Sequence, residues 1–148
     1  MISIVVLASM IFGYGSWECV HEYQYPRDNI KETFISRVVN HRDLTYNADE
    51  KLIYRKLDSG EILVEASIHE IGSIELSEQT FSIYPGKYDV SVDFDNIGIF
   101  TDEYISYIRD SGLKPGHGLM IDKLTETEMI IRHIESSDLT RCLSLGAQ

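Results

Sequence analysis

The sequence predicts an α+β protein, mainly antiparallel β, in which a sandwich or curved sheet carries about two packed helices. Three observations support this class. Residues 87–95 alternate strictly, with Tyr88, Val90, Val92 and Phe94 on one side and Lys87, Asp89, Ser91, Asp93 and Asp95 on the other. That is the pattern of a strand with one buried and one wet face. Other short runs, rich in β-branched and aromatic residues, are set off by turn residues. Two segments instead carry helical spacing behind a capping residue. With 148 residues, 43% of them hydrophobic and 10% aromatic, the chain has the material for one core, so residues 1–148 are read as a single globular domain. Nine Tyr and five Phe against three Pro argue against disorder.

Residues 2–12 (ISIVVLASMIF) read as a buried strand ended by Gly13-Tyr14-Gly15. The alternative is a signal-peptide core, with Gly13, Gly15 and Ser16 as small residues for cleavage, although no Lys or Arg occurs before Arg27. The run is too short to span a bilayer. Residues 29–40 read as a helix: Ile30, Phe34, Ile35, Val38 and Val39 share a helical face, with Asn29 as cap and Glu32 three residues on. Residues 51–57 and 61–70 form a hairpin about Asp58-Ser59-Gly60. In its second arm Ile62, Val64, Ala66 and Ile68 face one way; Glu61, Leu63, Glu65, Ser67 and His69 face the other.

Residues 73–76 add a short strand, and residues 81–84 meet a Pro85-Gly86 turn that leads into residues 87–95. Thr101 caps a helix over residues 102–110, with Asp102 and Glu103 at its positive end and Ser111-Gly112 stopping it. Pro115-Gly116-His117-Gly118 is a loop. Residues 119–124 and 128–134 pair around Thr125-Glu126-Thr127, and residues 139–145 add an edge strand.

Little in the chain spells out chemistry. Cys19 and Cys142 are too few for a disulfide scaffold and read as buried reduced thiols of a cytosolic protein; one bridge from the N-terminal region to the tail is the exported alternative. The five histidines show no HExxH pattern, and only His117, between glycines, has the setting of a functional loop. No nucleophile elbow, phosphate loop or dinucleotide fingerprint occurs. Asp93-x-Asp95 lacks the glycine and distal glutamate of a calcium loop. The expectation is a binding protein rather than an enzyme, with no cofactor and no metal.

Charge is the strongest functional signal. The formal net charge is −11, and residues 49–103 hold 13 acids against four bases, so −9 of it lies there. Such a field repels nucleic acid and anionic membranes and steers a basic partner in. Residues 81–90 (FSIYPGKYDV) resemble a hairpin of small bacterial β-sandwich inhibitors, including the DNA-entry nuclease inhibitor family. Small acidic α+β proteins of this size are also similar to immunity proteins of toxin systems such as contact-dependent growth inhibition. The resemblance implies a cytoplasmic immunity protein that neutralises a basic toxin domain of nuclease type.

The expected contact set is Glu61, Glu65, Asp89, Asp93, Asp95, Asp102 and Glu103, with Tyr84 and Tyr107 as aromatic anchors. Two alternatives stand beside it. One is a secreted or periplasmic β-rich binding domain with a cleaved signal. The other is an enzyme of unfamiliar kind built on the Asp cluster and His117.

Overall fold

The computed structural model describes residues 13–146, so the expected strand or signal over residues 2–12 lies outside the described residues. The chain runs β1 (Gly15–Tyr25), a short 3-10 turn (Pro26–Asp28), β2 (Ile30–Asn40), β3 (Thr45–Lys56), β4 (Ile62–Leu76) and β5 (Phe81–Asp95). It continues with α1 (Asp102–Gly112), β6 (Gly116–Leu124), β7 (Glu128–His133) and β8 (Leu139–Ser144). Each strand pairs antiparallel with the next, and β8 returns to pair with β1, closing an eight-stranded up-and-down barrel. The mainly antiparallel expectation stands. Of the two expected forms, the sheet is the curved one rather than a sandwich, bent until it closes on itself, and among the described residues there is one α-helix rather than two.

The missing helix is β2. Its apolar residues fit a helical face, but Thr33, Phe34, Ile35, Val38 and Val39 are strand formers, and pairing on both flanks overrides the spacing. Phe34, Ser36, Val38 and Asn40 point into the barrel, while Arg37 points out to Glu18 on β1, with Nε to Oε2 at 3.0 Å. Asn29 is a corner rather than a cap. It takes a left-handed φ of 54° between the 3-10 turn and β2, and its side chain accepts the Asp58 N–H.

The expected turn at Pro85-Gly86 is also absent. Residues 81–95 are one strand, bent where Gly72 pairs with Pro85 and Ile71 with Lys87, which leaves Gly86 as the extra residue of a bulge. The ten residues that carry the family resemblance are therefore one continuous strand rather than the two arms of a hairpin. Residues 73–76 likewise belong to β4 and form no strand of their own. A second bulge lies at the far end of β5: Ala66 pairs with Val92 and Glu65 with Phe94, so Asp93 is the extra residue. The alternation expected of residues 87–95 holds through Val92 and then flips, leaving Phe94 exposed.

The hairpin about residues 58–60, the Thr101-capped helix and the hairpin about residues 125–127 all form. Gly116 already belongs to β6, so the loop expected over residues 115–118 is shorter. β8 is a closing strand rather than an edge. Its register sets Cys142 directly opposite Cys19, and the two form a disulfide in place of the reduced thiols expected.

Three apolar clusters fill the barrel. Trp17, Cys19, Met129 and Cys142 lie near one end, with Tyr46, Ile74, Phe81 and Leu119 beside them. Hydrogen bonds anchor the chain at that end: the Trp17 indole N–H donates to the Gly13 and Tyr14 carbonyls at 3.1 and 3.2 Å, and Asn40 Nδ2 donates to Gly13 at 2.9 Å. At the other end Leu52, Tyr54, Val64 and Ala66 pack against Ile99 and Phe100 of the β5–α1 connection. Asp95 holds that connection in place by accepting the Ile97 and Phe100 N–H groups at 3.1 and 2.7 Å.

Candidate functional site

An eight-stranded barrel is just wide enough for side chains to fill it or for one small ligand to replace some of them. Here the two packed ends leave a cavity of about 230 Å³. Its apolar wall includes Phe34, Val38, Ile74, Phe81, Met129 and Ile131; its polar groups are His21, Ser36, Glu50, Glu70, His133 and Thr140. A mostly apolar hollow with a few polar groups is the usual form of a small-molecule site.

The polar groups fall into two sets. Tyr46, Ala48, Glu50, Leu52 and Tyr54 form the inward row of β3, and Val64, Ala66, Ile68 and Glu70 that of β4, so two carboxylates interrupt otherwise apolar rows. Glu50 is only 6% exposed. Burial, with Glu70 beside it as the next cause, pushes its carboxyl well above the ordinary carboxylate range, so it holds a proton near neutrality. Glu50 Oε1 has no hydrogen-bond partner. Tyr46 donates its hydroxyl to Glu70 Oε1 at 2.5 Å, and burial together with that bond raises the Tyr46 phenol pKa. Burial followed by the charges of Glu50 and Glu70 raises that of Tyr88 in the same way.

The second set joins β1, β7 and β8. His21 Nε2 and Thr140 Oγ1 lie 2.9 Å apart, and burial, then His133, lowers the His21 pKa toward the neutral ring. Among the described residues, no group of three or more His, Cys, Asp or Glu side chains is placed to hold a metal ion.

The residues singled out from sequence lie elsewhere. Glu65 and Asp93 come together on the outer wall around Lys51 Nζ, at 3.5 and 2.9 Å, and Ser67 Oγ donates to Asp93 at 2.8 Å. Glu61 pairs with Lys56 at 3.2 Å and Asp89 with Lys87 at 3.3 Å. Asp95 holds the backbone turn already described, and Asp102 and Glu103 sit in the first turn of α1. Tyr84 meets His117 edge-on with ring centres 5.6 Å apart, and Tyr107 is 67% exposed, stacked on Tyr104. His117 Nδ1 lies 3.2 Å from Ser82 Oγ at the surface.

Sequence reasoning passed over Glu50, Glu70, Tyr46, His21 and His133. A signal for Glu70 was present, since it continues the inward row Val64, Ala66, Ile68 by one more alternation; Ile62, expected in that row, instead lies opposite Arg55 across a bulge that turns Leu63 to the core. Glu50 had the same signal in β3, but only if the strand is started at Thr45 rather than at Lys51.

Fold and site together define an up-and-down barrel with an internal cavity of mixed polarity. Compared with known proteins, the chain matches no family model and no curated protein.

Proposed function

We propose that this protein is an exported carrier or scavenger that binds a small molecule inside its barrel. The observation that carries the reading is the 230 Å³ cavity, walled by apolar side chains and bearing Glu50 Oε1, a buried polar atom without a hydrogen-bond partner. A folded core under no functional demand avoids such groups, because an unsatisfied buried polar atom costs about 1–3 kcal/mol. The Cys19–Cys142 disulfide across the closing strands supports export, since structural disulfides persist in oxidising compartments.

The test is calorimetric titration of the oxidised protein with compact aromatic compounds of positive, zero and negative charge, repeated on Ala48→Phe. Ala48 lines the cavity and is 2% exposed, so the added ring fills the lumen. Saturable one-to-one binding of at least one compound, lost in Ala48→Phe, is the expected result. Binding of none, or binding that Ala48→Phe leaves intact, overturns the reading.

A second reading is the immunity protein that acts through its acidic surface on a basic toxin domain. Tyr107 favours it: this ring projects from the same helix that carries Asp102 and Glu103, and exposed aromatics beside acids suit a protein contact. Against it, Glu61, Glu65, Asp89 and Asp93 are each already paired with a lysine of the same chain. Protection of cells from the cognate toxin, lost on charge reversal at Asp102 and Glu103 together with Tyr107→Ala, would support this reading. Protection undiminished by those changes would remove it.

A further inference from the structure

We infer that the barrel's ligand is a small organic monocation: a protonated amine on a compact apolar or aromatic body, its ammonium seated against Glu50 and Glu70. The inference rests on the reading of the cavity as a ligand site and names the chemistry that the site selects.

Three observations converge on it. Glu50 Oε1 is a buried acceptor without a donor, on a residue 6% exposed that lines the cavity. An N–H or O–H on a molecule in the lumen would satisfy it. Glu70 lines the same cavity from the neighbouring strand, and its bond from Tyr46 occupies one lone pair of one oxygen, leaving acceptor capacity for a second donor. Two carboxyls on one wall of the lumen attract a cation and oppose an anion.

The remainder of the lumen shapes the rest of the ligand. Phe34, Phe81, Val38 and Ile131 leave room for an apolar body. At the other polar set, His21 is held toward its neutral form, so it does not repel a cation and can bond a hydroxyl or ring nitrogen. The net charge of −11 adds long-range attraction for cations.

Three compounds of one shape separate the possibilities: 2-phenylethylamine (cation), 2-phenylethanol (neutral) and phenylacetate (anion). Each is titrated by calorimetry into the oxidised protein, into Glu70→Gln and into Glu50→Gln. The expected order is amine, then alcohol, then phenylacetate, with the amine ahead of the alcohol by about tenfold or more. Glu70→Gln should erase most of that margin with the far-ultraviolet spectrum unchanged, whereas Glu50→Gln, which replaces a protonated carboxyl with a neutral amide, should keep most of it. Equal affinity for amine and alcohol in the unaltered protein overturns the inference and leaves the ligand-site reading standing; this arm needs no variant to fold. A preference for the amine that survives undiminished in Glu70→Gln also overturns it. Binding of none of the three overturns both.

Discussion

The Tyr46 phenol reaches Glu70 by leaning over Gly72, its own partner across the β3–β4 ladder. A Cβ at position 72 would stand 2.7 Å from the Tyr46 hydroxyl oxygen and 2.5 Å from the Tyr84 carbonyl. Neither neighbour can yield cheaply, because one is backbone and the other is held in a hydrogen bond. Glycine is thus required at position 72 for close approach rather than for an unusual φ, and its absent side chain is what lets a tyrosine meet a buried carboxylate. Gly72→Ala is expected to cost about 2–4 kcal/mol, combining overpacking with a displaced hydroxyl. Tyr46→Phe should cost less, about 1–3 kcal/mol, since only the bond is lost. Urea unfolding of the two variants checks both values and their order.

The disulfide joins residues 123 positions apart and lies where β8 meets β1. Native protein should therefore show no thiol reactive to maleimide before reduction and two after it. Replacing both cysteines with alanine should cost about 2–5 kcal/mol in urea unfolding. Free thiols in native protein taken from its source would argue for the reducing cytosol and against export.

Glu50 makes the fold sensitive to alkali rather than acid. Its carboxyl is raised in the folded state by burial and by Glu70, with Asp49 adding to the shift, Ser36 of β2 opposing it, and Tyr46 and Tyr88 of β3 and β5 close by. The folded state therefore binds a proton that the unfolded chain releases at an ordinary carboxylate pKa. Stability from this group is complete below the unfolded value and is lost as pH rises toward the folded one, by up to about 1.4 kcal/mol per pH unit for one proton. Glu50→Gln, which keeps shape and donors without a charge to bury, should flatten that decline and be the more stable protein at pH 8. A steeper decline in Glu50→Gln would show that Glu50 is charged in the folded state.

How much of this was legible depended on how local each feature is. The helix behind Thr101 and the turns about residues 58–60 and 125–127 are set by side chains within a few positions, and all three form. Closure is not local. Nothing near Leu139 announces that its strand will pair with β1, and a chain read as an open sheet turns its last strand into an edge. β2 deceived because its outward residues Ile35 and Val39 are apolar too, and a strand apolar on both faces loses its period of two. The bulges deceived differently: Asp93 and Gly86 each insert one residue, a shift that appears only against the partner strand. The candidate site suffered most. Acids conspicuous in the sequence lie outside the lumen, four of them already paired with lysines, while the two that face the lumen are spaced like their apolar neighbours.

Gly112 ends α1 directly against the ring of Tyr88, where a Cβ would come within 2.4–2.5 Å of three ring carbons. The contact falls on the body of a rigid ring, so the ring or the helix must move. Tyr88 also lies near Glu50 and Glu70, whose charges raise its pKa, so movement there is felt at the carboxylate end of the cavity. Gly112→Ala should cost about 1–3 kcal/mol and raise amide exchange across residues 102–112, because lifting the helix is the easier of the two movements. Shortening the ring should relieve the clash: Gly112→Ala combined with Tyr88→Ala should lose less stability than the two single changes added together, by about 0.5–3 kcal/mol. Strict additivity would mean that helix and ring are independent. Coupling together with altered binding of 2-phenylethylamine in Gly112→Ala would tie the helix to the lumen, making α1 a cover whose seating is read by the groups that hold the ligand.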